Sequence, residues 1–224
     1  MLRKGNLAYK LGKEKWFLKH EADDYLWVHA HLGLNPLSLN YSMFLGTVTG
    51  MMTDEQRAKW EPLTRQGRIL GSYAQTEIGH GSDVAGLETT ATFDKETDEF
   101  IINCPTPTAT KWWPGDLGLF VTHATIFARL IIDGNSYGII PFLVQIRDVD
   151  TFMPLKGVRC GDMGPKLGYT SKNNGWLHMT NLRIPRDQMM MKYTKVDRNG
   201  DFSIEGDTRV LYSVMMNIRT QLIW

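Results

Sequence analysis

TIFARLIIDGNSYGIIPFLVQI, residues 125–146, consists of two apolar runs separated by a short polar segment. The first run ends at Ile132, and the turn residues that follow are Asp133-Gly134-Asn135-Ser136. An Asp-Gly pair between apolar runs is typical of a tight β-hairpin. Because proline lacks the N–H that an inner strand donates, Pro141 in the second run predicts an edge or bulge position. The stretch therefore predicts that the middle of the chain is a β-domain.

Similar patterns flank this hairpin on both sides. Leu87 to Phe93 is rich in strand-forming residues, with Leu87, Ala91 and Phe93 in one register. A polar turn at 94–98 then leads to a return strand at 100–102, and further short strands are expected near 176–182 and 189–195. Several short strands at this spacing favour an antiparallel β-barrel or sandwich.

The chain before the β-domain has a helical pattern. Apolar residues between Leu32 and Leu45 recur with loose helical spacing. Thr53-Asp54-Glu55-Gln56 has the form of a capping box, with a hydroxyl at the N-cap and a glutamine three residues later. Pro62 is expected to kink or end the helix that follows, and Gly67 is expected to stop it.

A third zone follows the β-domain and again has a helical pattern. Asn199-Gly200-Asp201 predicts a turn, and from Thr208 the apolar residues between Val210 and Leu222 have helical spacing. The helix breaks off on apolar residues at Trp224, so we expect that further sequence normally follows it.

The order of helices, strands and a helix indicates the α+β class. The predicted units are a partial N-terminal helical domain at 1–67, a central antiparallel β-barrel or sandwich domain at 68–197, and the start of a C-terminal helical domain at 198–224.

The composition excludes several classes of protein. Hydrophobic residues make up 42% and charged residues 22% of the 224 residues, which is ordinary for a globular chain. The formal net charge of +1 does not favour a nucleic-acid partner. Two cysteines, Cys104 and Cys160, do not make a disulfide framework, so a reducing compartment is expected. The six histidines have no metal-ligand spacing, and no apolar run reaches the roughly 18 residues of a membrane span.

Neither end of the sequence has the pattern of a known targeting signal. The first 15 residues are mixed and basic without an apolar core, so they do not form a secretory signal. The chain ends in Leu222-Ile223-Trp224, which is not a peroxisomal tripeptide of the Ser-Lys-Leu kind.

The segment Tyr73 to Asp83, YAQTEIGHGSD, is the first candidate binding site. Its glycines allow close approach of the backbone to a ligand, and the hydroxyls of Thr76 and Ser82 add directional hydrogen bonds. It is therefore a candidate cradle for a phosphate or for the polar edge of a ring, with an ordinary turn as the alternative. It matches neither the dinucleotide fingerprint nor the P-loop.

The second candidate is KWWPGDLG, residues 111–118. Because neighbouring strand residues face opposite ways, one of Trp112 and Trp113 can enter the core while the other faces a cleft. An exposed tryptophan is a natural stacking surface for a flat aromatic ligand. The alternative is that both rings are structural.

These motifs together resemble the peroxisomal-type acyl-CoA oxidases. The resemblance rests on YAQTEIGHGS at 73–82, GLETTAT at 86–92, KWWPG at 111–115, GPKLGY at 164–169 and NLRIPR at 181–186. It implies helical domains on either side of a β-domain, with FAD between the β-domain and the C-terminal helices. Asp116 stands where the family usually has a second glycine, so an extra carboxylate is expected to hinder close approach of the flavin there.

The resemblance also implies site residues. Thr76 would hydrogen-bond the flavin ring, and Trp113, Pro114 and Gly115 would pack along it. Gly81 and Ser82 would line the cleft for the FAD phosphates and the acyl-CoA, which makes Ser82 a substrate-binding residue as well.

The implied reaction is the first step of peroxisomal fatty acid β-oxidation. A carboxylate removes the α-proton of a fatty acyl-CoA, the β-hydride passes to the flavin, and dioxygen reoxidises the flavin to give hydrogen peroxide. In the family the base is a glutamate of the C-terminal helical domain, downstream of every motif matched here, so no catalytic residue is assigned. Glu205-Gly206-Asp207 resembles the string around that base but lies in the wrong place, and Glu77 and Glu88 are expected to cap or pair.

Two other functions are open at this point. A non-catalytic relative could serve as a binding or structural partner, and the apolar C-terminal helix would then be covered by a homodimer or a partner chain that supplies the missing helices. An acyl-CoA dehydrogenase is the other alternative, slightly favoured by GSDVAG at 81–86, whereas KWWPG favours the oxidase. A peroxisomal location is implied by the resemblance alone.

Overall fold

A computed structural model of the protein describes residues 37–168 and 172–205, together with Ser213. The helical elements are a π-helical turn at Asn40–Phe44, α1 at Leu45–Met51, α2 at Asp54–Arg65, and 3-10 turns at Pro107–Ala109 and Arg186–Gln188. The strands are β1 Gly71–Ala74, β2 Thr90–Asp94, β3 Glu99–Asn103, β4 Lys111–Trp112, β5 His123–Ile132, β6 Asn135–Gln145, β7 Val158–Asp162, β8 Gly175–Met179, β9 Leu182–Pro185, β10 Thr194–Val196 and β11 Phe202–Ile204. Short helices thus precede a mostly β unit, as expected for the α+β class.

Helix α2 begins with the predicted capping box. The N–H of Gln56 donates to Thr53 Oγ1, and the N–H of Thr53 donates to Gln56 Oε1. The glutamine side chain also ties the helix to the β-unit, because its Nε2 donates to the carbonyls of Asp187 and Met189 while its Oε1 accepts from the N–H of Met191.

The C-terminus of α2 excludes one of the two effects predicted for Pro62, the end of the helix, and confirms the stop predicted at Gly67. The helix does not end at Pro62 but continues to Arg65, since Pro62 lies on the exposed face and removes a single N–H donor. Gly67 stops it with a φ of 68°. Its N–H donates to the carbonyl of Thr64 and that of Arg68 to the carbonyl of Leu63, which is the Schellman arrangement.

Replacing Thr53 by alanine is expected to lower the free energy of unfolding by about 1 kcal/mol, because the N-cap hydroxyl is lost. Thr49→Ala is the matched control: the Thr49 hydroxyl bonds only to carbonyls of its own helix, at Leu45 and Gly46, and alanine is a better helix former. Urea denaturation of both variants provides the measurement. Equal losses would show that the cap contributes nothing.

The main sheet is mixed, which corrects the expectation of an antiparallel domain. Its order is β1-β5-β2-β3-β9, with β6 on the other side of β5. Both β1 and β2 run parallel to β5, whereas β2–β3, β3–β9 and β5–β6 are antiparallel. The hairpin signals in the sequence report only local antiparallel pairs, and parallel pairs join strands that are distant along the chain.

The predicted hairpins are confirmed. Strands β5 and β6 pair around Asp133 and Gly134, whose φ angles of 50° and 79° suit a type I′ turn. Pro141 lies opposite Phe127 on the edge strand β6, and its carbonyl faces outward to accept the N–H of Met190. Strands β2 and β3 form the second hairpin.

One register prediction needs correction. Ala91 and Phe93 point into the core from β2, but Leu87 precedes the strand and belongs to another buried cluster. The reason is that Glu77 accepts the N–H groups of Glu88 and Thr89, which keeps this part of the chain out of the ladder.

Two smaller sheets complete the β-unit. Strands β4, β8 and β7 form an antiparallel three-stranded sheet, and β10 pairs with β11 across the predicted turn at 199–201. The strands expected near 176–182 and 189–195 are therefore present as β8, β9 and β10, although the last begins only at Thr194.

The main sheet is buried on both faces at β1 and along most of β5, whereas β2, β3 and β9 bury one face. One face joins β7 and β8 in the larger core, which includes Phe100, Ile126 and Leu177. The other face packs Phe127 and Leu143 against Phe44 and Trp60 of the helical segment. The helices thus lie directly on the sheet.

The helix predicted from Thr208 lies outside the described residues apart from Ser213, as does the part of the Leu32–Leu45 pattern that precedes Leu37. Within residues 37–168 and 172–205, no helix has both the length and the apolarity to cross a bilayer.

Candidate functional site

The site forms where the loop after β1 meets β4. Thr76 Oγ1 donates to the carbonyl of Trp112 at 2.6 Å, and the N–H of Trp112 donates to the carbonyl of Thr76 at 3.0 Å. An isolated bridge between Glu77 and Lys111 continues the pairing. The first candidate segment is therefore held directly against the second.

The two tryptophans differ in exposure. Trp112 is half-buried in β4 opposite Trp176, whereas the side chain of Trp113 is 50% exposed. Trp113 has a φ of 75°, which is uncommon for a large residue and turns the chain away from β4. Trp113 can therefore offer a ring face to a flat ligand.

Residues Trp113–Gly115, here called the tryptophan turn, are held in place by buried packing and hydrogen bonds. Pro114 and Gly115 are buried, and a Cβ on Gly115 would lie 1.9 Å from Leu39 Cδ1. Ser72 Oγ donates to the carbonyl of Gly115 at 2.6 Å, and the N–H of Gly175 donates to the carbonyl of Pro114 at 2.9 Å. Within the turn, only Trp113 is open to solvent.

Gly81 and Ser82 lie on the exposed outer part of the same loop. In the described part of the chain, no acceptor takes the backbone N–H groups of Gly81, Ser82 or Asp83. A Cβ on Gly81 would meet no atom within 4 Å. Consecutive free N–H groups are a common feature of anion sites. No hydrogen bond joins these residues to Thr76 or Trp113 among those the structure describes, so they form a separate part of the candidate site.

A buried ion pair, Glu77 with Lys111, lies under the junction. Both side chains have 0% exposure, and Lys111 Nζ lies 2.9 Å from Glu77 Oε1. The same Nζ donates to the carbonyls of Gln75 and Phe127 at 3.2 and 2.7 Å, so its three donors are all used. Glu77 also accepts from Thr89 Oγ1 at 2.6 Å and from two backbone N–H groups.

On each pKa of this pair, burial and the partner's charge act in opposite directions. Burial would raise the pKa of Glu77, but Lys111, Thr89 and Glu88 outweigh it, so the pKa lies below its ordinary value. Burial lowers the pKa of Lys111 against the attraction of Glu77. The expectation that Glu77 pairs is confirmed.

Asp116 does not face the site, which corrects the expectation that its carboxylate would hinder a flavin. It is buried with a φ of 62°, and Lys172 Nζ lies 3.2 Å from each carboxylate oxygen. Burial raises the pKa of Asp116 to about 6, although Lys172 opposes this rise. The carboxylate therefore belongs to the interior behind the tryptophan turn.

The remaining candidate carboxylates are also engaged. Glu88 accepts from the hydroxyls of Thr106 and Thr108, as expected for a loop carboxylate. Glu205 pairs with Lys195 at 3.4 Å on the surface. In the stretches that the structure describes, no three His, Cys, Asp or Glu side chains gather as a metal site.

Two family models match this chain. Residues 1–70 match the family model of the acyl-coenzyme A oxidase N-terminal region, and residues 72–182 match that of the acyl-CoA dehydrogenase middle domain. Peroxisomal acyl-coenzyme A oxidase 1 of Homo sapiens is 44% identical over 219 residues, which cover 96% of this chain and 33% of that protein.

Solved structures of acyl-CoA oxidases are also similar to this chain. Acyl-CoA oxidase 1 of Arabidopsis thaliana superposes with a TM-score of 0.89 at 42% identity, over 99% of this chain and 34% of that one. Acyl-CoA oxidase-2 of Caenorhabditis elegans, solved with FAD, ascaroside-CoA and ATP, gives 0.87 at 38% identity, over 98% and 35%. The chain thus spans about a third of the length of these relatives. It belongs to the acyl-CoA oxidase family, of which it represents the N-terminal and middle portions.

Proposed function

We propose that the chain is the flavin- and acyl-CoA-binding part of an enzyme that oxidises fatty acyl-CoA to trans-2-enoyl-CoA with formation of hydrogen peroxide. The observation that carries this proposal is the pairing of Thr76 with Trp112, which sets a hydroxyl at the backbone carbonyl that directly precedes the exposed Trp113. A polar group beside a flat apolar surface suits a ring that has both a π-face and a polar edge.

The residues present fit FAD. Bound FAD would supply the hydride acceptor and, with dioxygen, the route to hydrogen peroxide. Trp113 would lie along the ring system with Pro114 and Gly115 behind it. The free N–H groups at Gly81 and Ser82 would bind phosphate oxygens of FAD or of the acyl-CoA, because neighbouring N–H donors attract anions.

Thr76 would contact the polar edge of the ring. Its hydroxyl proton is directed to the carbonyl of Trp112, so its lone pairs are open to a ring N–H without rearrangement. A ring acceptor at the same place would require rotation of the hydroxyl and loss of that bond.

The proton step requires a base at the α-carbon of the substrate. Three buried or loop carboxylates of the described chain are already engaged: Glu77 by Lys111, Glu88 by two threonines and Asp116 by Lys172. We therefore assign the base to none of them. The proposal places it on helices contributed by the C-terminal portion or by a partner chain, as in a homodimer.

Two further points belong to the proposal. The relative from Homo sapiens is peroxisomal by name, and we propose the same compartment for this protein. The chain is divided into units at 1–67, 68–197 and 198–224, of which the second carries the ligand-binding residues.

Trp113→Ala is expected to weaken binding of FAD to this chain about fivefold to tenfold, because the exposed ring surface is lost. Thr76→Ala is expected to weaken it about fivefold, the worth of one hydrogen bond. Quenching of FAD fluorescence on titration with each protein measures the dissociation constant.

Tyr137→Ala provides the matched aromatic control. Tyr137 is 39% exposed near the tip of the β5–β6 hairpin and packs on Phe202. Its removal should leave the affinity for FAD unchanged. Absence of FAD binding by the wild-type chain, or equal affinity of all four proteins, would contradict the proposal.

A further inference from the structure

Asp116 and Lys172 form a second buried ion pair, directly behind the tryptophan turn. Asp116 follows Gly115 in the sequence, and both of its carboxylate oxygens lie 3.2 Å from Lys172 Nζ. The side chains are 2% and 5% exposed. The same Nζ lies 2.7 Å from Ser38 Oγ. The ammonium group therefore joins three segments that are far apart in the sequence.

Further hydrogen bonds join the segment around Asp116 to the segment around Lys172. The N–H of Gly175 donates to the carbonyl of Pro114, and the N–H of Gly118 donates to the carbonyl of Asn173. Asn174 Nδ2 donates to the carbonyl of Trp113 at 3.0 Å. Each of these bonds crosses between the segment that contains Asp116 and the segment that contains Lys172. The ion pair joins the same two segments.

A gain in folding stability is a weak explanation for the presence of a buried ion pair at this position. A buried ion pair is often no more stabilising than apolar side chains of the same volume. Asp116 also has a φ of 62°, a conformation that aspartate and asparagine adopt more readily than other residues with a Cβ but less readily than glycine. Neither feature is a strong source of stability at the position next to the tryptophan turn.

We propose that Asp116 and Lys172 are positioning residues, which fix the tryptophan turn against the 172–175 segment so that Trp113 presents its ring in one orientation. A charge-assisted contact to both carboxylate oxygens fixes distance and direction more strictly than apolar packing does. The consequence for FAD rests on the proposed function, whereas the consequence for the backbone does not.

The test uses Asp116→Asn, Lys172→Met and the double variant. Each single change leaves one buried charge without its partner, so both lower stability and affinity for FAD. The double change removes both charges at nearly constant volume. Its melting temperature should lie above those of both single variants, because no charge stays buried without a partner, while its dissociation constant for FAD stays about tenfold above that of the wild type, because the turn is no longer held in one orientation.

A backbone measurement separates this inference from the proposed function. Hydrogen exchange of the Gly118 and Gly175 amides reports the junction without any ligand. In the double variant these two amides should exchange about tenfold faster than in the wild type, while the amides of β2 and β3 are unchanged.

Asp133 and Lys95 supply a control pair of the same residue types. Asp133 also has a positive φ, of 50°, and its exposed carboxylate pairs with Lys95 at the β5–β6 turn. Asp133→Asn with Lys95→Met should change neither the affinity for FAD nor exchange at Gly118 and Gly175.

Two results would overturn the inference. One is a double variant that recovers wild-type affinity together with wild-type stability. The other is unchanged exchange at Gly118 and Gly175, which decides the matter even if the wild-type chain binds no FAD. Faster exchange without any FAD binding would instead uphold the positioning role and refute the proposed function.

Discussion

Replacing Lys111 by methionine is expected to destabilise the protein by about 3–5 kcal/mol, the usual cost of breaking a buried ion pair on one side. Methionine has a similar shape, so packing changes little. The lost ammonium group leaves Glu77 buried as an anion with 0% exposure. It also leaves the carbonyls of Gln75 and Phe127 without the donor that Nζ provides.

The remaining partners of Glu77 do not replace that cation. Thr89 Oγ1 and the N–H groups of Glu88 and Thr89 still donate to its carboxylate. These donors are neutral, and His80 Nδ1, 3.4 Å from Glu77 Oε2, is a cation only when it is protonated. A carboxylate in a dry interior needs an opposite charge or a proton. The pKa of Glu77 should therefore rise in Lys111→Met, because burial then acts without Lys111.

Urea denaturation measures this loss as a decrease in the midpoint at constant slope. Lys195→Met is the matched control, since Lys195 pairs with Glu205 at the surface, where the side chains are 47% and 45% exposed. Such pairs contribute at most about 1 kcal/mol. Glu77→Leu combined with Lys111→Met should recover part of the loss, since no charge then stays buried. Equal effects of Lys111→Met and Lys195→Met would show that the buried pair is not important for stability.

Gly71→Ala is expected to lower the free energy of unfolding by about 3 kcal/mol, at the upper end for overpacking. A Cβ on Gly71 would lie 2.0 Å from Phe44 Cγ and within 2.4 Å of two further ring atoms. Phe44 has 0% exposure in the cluster between the helices and the sheet. The ring therefore has no solvent-filled space into which it can move.

The backbone of Gly71 is equally restrained. Its N–H donates to Asn40 Oδ1 at 2.7 Å, and the residue pairs with His123 in the parallel ladder of β1 and β5. Relief of the clash must therefore break contacts on one side or the other. Phe44→Leu combined with Gly71→Ala should recover part of the stability, because the smaller side chain makes room for the methyl group.

Thermal unfolding by circular dichroism suits this comparison. Gly81→Ala is the control, because a Cβ there would meet no atom within 4 Å. Its effect should stay within about 0.5 kcal/mol. A melting temperature of Gly71→Ala equal to that of Gly81→Ala would disprove close packing of Phe44 on β1.

The parts of the fold that could be predicted from the sequence are those determined by neighbouring residues. The capping box at Thr53, the stop at Gly67 and the hairpin turn at Asp133 each depend on a few adjacent side chains. The parallel pairs of β5 with β1 and β2 could not be predicted, because their partners are distant in the sequence and no turn joins them. The register error at Leu87 had a related origin, since it depends on the bond from the N–H of Glu88 to Glu77, which lies eleven residues earlier in the chain.

The candidate site shows the same division. The residue types at Thr76 and Trp113 pointed to ligand contacts because hydroxyls and aromatic rings are chemically distinctive. Lys111 and Lys172 were missed, because lysine is normally a surface residue and only the tertiary structure shows that both are buried. The available signal was the position of Lys111 immediately before two tryptophans where a strand ends.

The edge strand β6 has a consequence for the behaviour of the protein at high concentration. An uncovered strand edge is a template on which other chains can add a strand and start to aggregate. On β6, Pro141 offers no N–H to such a newcomer, its carbonyl is already taken by Met190, and Phe142 is bridged to Met189. Strand addition is therefore blocked at Pro141 and Phe142, which divides the free edge of β6 and shortens the stretch on which amyloid-like growth could start.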